Sequence, residues 1–162
     1  MSDNPLASLT DKDLPLSSMK GHISECKVVR IIDGDSISII CYDQRRELLK
    51  LNARMMGIDT PELSAFPNYA KKARNFLISL VTNVHIDLEN MSSSRDLQGL
   101  IDENTKILYV KFGSEDKYGR ALVELYEESE DIGTFSKSIN HMMILSKKAR
   151  SYDGGTKSQW MF

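Results

Sequence analysis

The hydrophobic period changes at Pro61, and that change limits the fold more than any other feature of the chain. From His22 the pattern is β. Ile23, Cys26, Val28, Val29, Ile31 and Ile32 precede Asp33-Gly34, a strong turn dipeptide. Ser36 to Tyr42 reads as a second strand. Arg46 to Met56 reads as a third, with Leu49, Leu51, Ala53 and Met55 alternating against Lys50, Asn52 and Arg54. Beyond Pro61, Ala70, Ala73, Phe76, Leu77, Leu80 and Val81 recur on one face of an amphipathic helix, with Lys71, Lys72 and Arg74 on the solvated side. Val84 to Leu88 returns to strand alternation, and residues 90–105 are polar enough to read as an inserted excursion. Lys106 to Phe112 and Ala121 to Tyr126 are the last two strands. A second helix is expected over Thr134 to Lys147, with Ile139, Met142 and Met143 inward, before the Asp153-Gly154-Gly155 turn.

Three strands, a helix, paired strands and a helix predict an α+β chain, mainly β, built as a small barrel of the OB type. Its 162 residues suit one domain. Residues 1–20, polar with Pro5 and Pro15, are expected to be a mobile extension touching the domain through Leu14 and Leu16, leaving 21–162 as the folded unit. No internal repeat occurs. No apolar run approaches the ~20 residues that cross a bilayer, so no membrane partner is expected. The first residues carry neither a basic n-region nor an apolar h-region, which predicts a cytoplasmic protein, in the host cytoplasm if viral. Cys26 and Cys41 lie in apolar runs and are expected as buried thiols. A net charge of -2 gives no bulk attraction to nucleic acid, so a polyanion would need a local basic site.

Three polar segments at strand ends could build one. They are Asp33-Gly34-Asp35-Ser36, the run from Arg54 to Glu62, and Asp116-Lys117-Tyr118-Gly119-Arg120. Asp35, Asp59 and the Thr60 carbonyl offer hard oxygens suited to Ca²⁺ or Mg²⁺, whereas His22, His85 and His141 lack metal-ligand spacing. Arg54 and Arg120 carry planar forks that match phosphate oxygens, and Glu62 could orient or deprotonate a water. Taken singly, these features also suit a hairpin turn, a helix start and surface ion pairs.

As a set, they resemble the staphylococcal nuclease family, whose order is Asp-Gly-Asp-Thr, Arg-x-x-x-x-Asp-Thr-Pro-Glu, a helix, and Asp-Lys-Tyr-Gly-Arg. The resemblance spans about residues 22–157, includes Ser138-Ile139-Asn140, and is nearest to non-secreted viral or cellular members. It implies a five-stranded OB barrel with two or three helices and a nuclease, usually calcium-dependent with Mg²⁺ or Mn²⁺ as alternatives, acting on DNA and RNA. Asp35, Asp59 and Thr60 would bind the metal, Arg54 and Arg120 the attacked phosphate, and Glu62 the attacking water. Lys117 and Tyr118 would contact the neighbouring phosphate and Tyr152 the nucleotide, with 3′-phosphate products. No obligate protein partner is evident, and a monomer is expected. Ser36 replaces the usual Thr, the loop after Glu62 is short, and the 90–105 excursion falls where the secreted bacterial enzyme has a tight connection. A non-catalytic module binding nucleic acid or protein is the alternative; such modules typically lose the arginines or carboxylates that this chain keeps.

Overall fold

The computed structural model describes residues 4–14, 17–84 and 94–162. In chain order the strands are β1 (Ile23–Asp33), β2 (Ser36–Tyr42), β3 (Leu48–Met55), β4 (Ile58–Asp59), β5 (Leu108–Glu115), β6 (Ala121–Tyr126) and β7 (Arg150–Ser151). The helices are α1 (Pro67–Val81), α2 (Ser94–Asn104) and α3 (Ile139–Leu145). Five strands close a barrel in the order β1-β2-β3-β6-β5, all antiparallel except β3 with β6, which is the OB topology. The two-residue strands β4 and β7 form a separate antiparallel pair at its end. Among the described residues no helix is long and apolar enough to cross a membrane.

Alternation explains most of the interior. Val28, Ile37, Ile39, Ala53, Met55, Val110, Phe112, Val123 and Leu125 point inward and are buried. Cys26 and Cys41, register partners on β1 and β2, are buried free thiols; burial, with Cys41 nearby, pushes the Cys26 thiol up to about 12. The adjacent pair Val28-Val29 breaks strict alternation, and a register shift between Val28 and Arg30 absorbs it. That irregularity lets Val28 and Ile31 both face the core.

Helix α1 closes one end of the barrel with Ala70, Ala73, Leu77, Ile78 and Val81 buried; Phe76 and Leu80 are half-buried. One of its small residues, Ala73, matters for the site. A Cβ on Gly34 would lie 3.0 Å from the Ala73 Cβ and 3.0 Å from the Thr60 Cγ2, so the β1–β2 turn, α1 and the chain after β4 meet where only glycine fits.

Several sequence expectations change. The 90–105 stretch is not merely a polar excursion: 94–104 is helix α2, and Leu97, Leu100 and Ile101 enter the core. Their i, i+3, i+4 spacing is a helical face that the high polar content of the segment conceals. Gln98 donates from Nε2 to the Val29 carbonyl at 2.8 Å, so the helix also satisfies the irregular point of β1. The helix expected over 134–147 is divided into a 3₁₀ turn at Phe135–Lys137 and α3, because Ser138 acts as an N-cap, accepting the His141 N–H at 3.0 Å. Met142 is half-buried, whereas Ile139 and Met143 are buried as expected. Leu14 is exposed rather than packed, and among the described residues of that region Met19 packs against the core; Leu16 lies outside the described residues. So does the strand expected over 84–88, apart from Val84, which is in no strand.

Asn140 locks α3 to the barrel. Its Oδ1 accepts the Leu125 N–H at 3.0 Å, and its Nδ2 donates to the Met56 and Val123 carbonyls, each at 2.9 Å. It is fully buried.

If α2 belongs to the core, Ile101→Ala should lower unfolding stability by about 2–4 kcal/mol, the range for deleting a buried branched side chain. Urea denaturation checks this, and an unshifted midpoint would mean that α2 contributes little to the core.

Candidate functional site

The three polar segments meet on one pocket of about 1330 Å³ at the barrel end bearing the β1–β2 and β5–β6 turns. Asp35, Arg54, Thr60, Glu62, Lys117, Tyr118, Arg120 and Tyr152 all line it, whereas Asp59 is buried beside it with 1% exposure. Register explains the convergence: Ser36 on β2 pairs with Arg54 on β3, and Arg54 pairs in parallel with Leu122 on β6, just after Arg120. Gly57, at φ +79°, makes the tight reversal that carries β3 into β4 and delivers Asp59 and Thr60 next to Arg54.

Arg54 is the centre of the charge arrangement. Its Nη1 lies 3.4 Å from Asp35 Oδ2, its Nη2 lies 3.5 Å from Asp59 Oδ1, and Nη2 also donates to the Ile58 carbonyl at 3.2 Å. Exposures of 8% for Arg54 and 5% for Asp35 mean that these charges depend on one another rather than on water. Asp35 Oδ2 accepts the Thr60 N–H at 3.0 Å, and its Oδ1 accepts the Ser36 hydroxyl at 3.2 Å. The Arg54 guanidinium also sits 5.4 Å from the Tyr152 ring centre.

Asp59 holds two further cations that the sequence reading left outside the site. The β4–β7 register sets Asp59 opposite Arg150, whose Nη2 lies 2.9 Å from Asp59 Oδ2, with Nε donating to the same oxygen at 3.1 Å. Lys157 Nζ lies 3.0 Å from Asp59 Oδ1. The sequence carries a coarse signal for them, since Lys147, Lys148, Arg150 and Lys157 make the C-terminal segment basic.

Asp33 was also unassigned, although it opens the first motif. Burial pushes its carboxyl above the usual range, as do Asp35 and Glu62 beside it, against the pull of Arg74 and Arg54. Arg74, expected on the solvated face of α1, is half-buried instead; that burial lowers its pKa, and Asp33 opposes the shift.

At the opposite wall, the β5–β6 turn is built around Asp116. Its Oδ1 accepts the N–H groups of Tyr118 at 2.8 Å and Arg120 at 2.9 Å, and its Oδ2 accepts Arg120 Nε–H at 2.8 Å. Gly119, at φ +81°, permits that tight turn. Burial raises the Asp116 pKa, but these hydrogen bonds and the Arg120 charge outweigh it, and the net shift is downward. Asp116 thus fixes the Arg120 fork from its Nε edge. Tyr118, 73% exposed, extends beside Lys117 and Arg120. Glu62 is exposed at the rim.

The donors suit a hard divalent cation in kind: carboxylates at Asp35 and Asp59, with the Thr60 carbonyl as a further hard oxygen. Two neighbouring oxygens, Asp33 Oδ1 and Thr60 Oγ1, are buried without a hydrogen-bond partner, which a cation or its water would supply. Among the described residues no three His, Cys, Asp or Glu side chains stand ready grouped around a metal position. Both Asp59 oxygens are instead paired with cationic side chains.

A closed OB barrel with two arginines and carboxylate and carbonyl oxygens gathered at one end is a nuclease-like fold. The family model for staphylococcal nuclease homologues matches residues 52–159, and the chain belongs to that family. No curated protein matches the chain. The Asp33-Gly34-Asp35-Ser36 segment lies before the matched stretch and enters the site through the β2–β3 pairing.

Asp116→Asn should reduce stability at pH 7 by about 1 kcal/mol through loss of a charge-assisted hydrogen bond. Because the folded-state pKa of Asp116 is depressed, its contribution is full above the usual carboxylate pKa and is lost as pH falls through the depressed value. Denaturation of wild type and variant across acid pH should therefore show the difference closing in that window; a constant difference would contradict the assignment.

Proposed function

We propose that the chain is a metal-dependent nuclease hydrolysing phosphodiester bonds in DNA and RNA, with Ca²⁺ as the expected ion and Mg²⁺ or Mn²⁺ as substitutes. The observation that supports this most is the meeting of Asp35, Arg54, Glu62 and Arg120 on one pocket from three separate chain segments. Arg120 is the more accessible of the two guanidiniums and is held by Asp116, so its free edge is the group positioned to grip a phosphate. Arg54, tied between Asp35 and Asp59, supplies fixed positive charge from the pocket wall. Glu62 orients a water and takes its proton as the water oxygen bonds to phosphorus. The P–O bond to the 5′ oxygen then breaks and that oxygen takes a proton from solvent water, while Glu62 returns its own proton to solvent, leaving a 3′-phosphate on one fragment and a 5′-hydroxyl on the other. Asp35, Asp59 and the Thr60 carbonyl would hold the ion, which when bound supplies Lewis-acid stabilisation of charge on the phosphate oxygens.

Lys117, Tyr118 and Tyr152 are positioned for the rest of the strand. Tyr118 and Tyr152 each carry a cation at their ring face, and such a pair can accept a nucleotide by stacking while meeting its phosphate. With a net charge of -2, affinity rests on this local set and should fall with added salt.

Hydrolysis of single-stranded DNA and RNA, scanned over Ca²⁺, Mg²⁺ and Mn²⁺ and in chelator, tests the proposal. Cleavage that requires the ion is expected. Arg120→Ala and Glu62→Ala should each reduce turnover by about 10²–10⁴-fold with the fold intact. Absence of cleavage with every ion, alongside retained nucleic-acid binding, would leave the non-catalytic module as the correct reading.

A further inference from the structure

Lys157 does not reach Asp59 as a free surface lysine; the segment that carries it is braced at several points. Arg150, already paired with Asp59, donates from Nη2 to the Ser158 carbonyl at 2.7 Å and from Nη1 to the Ser158 hydroxyl at 3.2 Å. That bond fixes the residue next to Lys157. Tyr152 donates its hydroxyl to the Gly155 carbonyl at 2.6 Å, and Asp153 Oδ1 accepts the Gly155 N–H at 2.9 Å. The Tyr152 backbone N–H donates to the Gly57 carbonyl at 2.9 Å, which anchors this loop to the β3–β4 turn. Lys157 Nζ also lies 5.3 Å from the Tyr152 ring centre, so the ammonium has a carboxylate on one side and an aromatic face on another.

This placement competes with the ion that Asp59 is proposed to bind. A Ca²⁺ ligand oxygen lies about 2.3–2.6 Å from the ion, and the ammonium occupies hydrogen-bond distance of the same oxygen. Two cations on Asp59 Oδ1, the oxygen of a carboxylate that is almost fully buried, would repel one another. We propose that Lys157 is a tethered counter-cation for Asp59 that a divalent ion must displace, so that the segment around residues 150–158 weakens metal affinity and changes its contacts at the pocket edge when metal binds. This rests on the metal-dependent reading above and assigns a control element to that same site.

Lys157→Met keeps most of the side-chain stem and removes the charge. Calorimetric titration of the full chain with CaCl₂ should show about tenfold tighter binding for Lys157→Met than for wild type, while Asp35→Asn should lose binding. Because the single tryptophan, Trp160, stands 4.1 Å from the Arg150 guanidinium, its emission should also shift as wild type takes up Ca²⁺. Equal or weaker Ca²⁺ binding by Lys157→Met, with Asp35→Asn still defective, overturns the counter-cation while leaving the metal site standing. Unchanged binding in Asp35→Asn overturns the metal site and the counter-cation with it. If wild type binds no Ca²⁺, binding gained by Lys157→Met supports the inference and its absence refutes it. Metal-free melting curves establish that each variant is folded; should Lys157→Met not fold, Lys157→Gln applies the same criterion.

Discussion

The site is organised by a charge balance that water does little to support. Asp35, Arg54 and Asp59 are each below one-tenth exposed, and they come from the β1–β2 turn, the end of β3 and β4. Buried ions of this kind add little net stability as pairs, yet removing one leaves its partners desolvated and uncompensated, typically at a cost of about 3–5 kcal/mol. The value of the arrangement is therefore positional. Arg54 cannot move without breaking contact with two carboxylates and the Ile58 carbonyl, and the two carboxylates cannot separate without abandoning Arg54. Short polar runs that would be mobile turns in isolation become a fixed frame.

Two close-packed features transmit that rigidity to the rest of the barrel. Gly34 allows α1 and Thr60 to approach the β1–β2 turn within ordinary contact, so the helix that seals the barrel also seats the chain next to Asp35. Asn140 satisfies one N–H and two carbonyl groups where β3 ends and β6 runs beneath α3. Against this rigid side, Glu62 and Tyr118 are exposed on turns. A frame of buried charges facing exposed contact groups would suit the proposed polymer substrate, whose phosphate must be held in one place while its bases vary.

Much of the fold is legible from residue pattern. The strands around Asp33-Gly34, the helical face from Ala70 to Val81 and the last two strands are stated locally, because alternation and helical spacing are local properties. The adjacent Val28-Val29 pair is passed over within a β run, and only the neighbouring strand, with Gln98 arriving from α2, reveals the break and how it is accommodated. Helix α2 was concealed because three apolar positions among eleven residues look like a loop until something exists for them to pack against. The helix that contains α3 reads as starting too early because Ser138 suits an interior position or a cap equally, and its hydroxyl contact decides between them.

For the site, the sequence by itself determined which chemical groups are present and in what order: paired carboxylates, two arginines, a glutamate and the Asp116 turn. Tertiary structure decided which charges face one another. Asp59 could have met Arg54 alone, yet the β4–β7 register and the braced C-terminal loop bring Arg150 and Lys157 to it from about a hundred residues away. Local spacing carries no information about such partners. A buried carboxylate is neutralised by whichever cations the fold delivers within a few ångströms, because Coulomb attraction depends on distance through space and is strengthened where water is excluded.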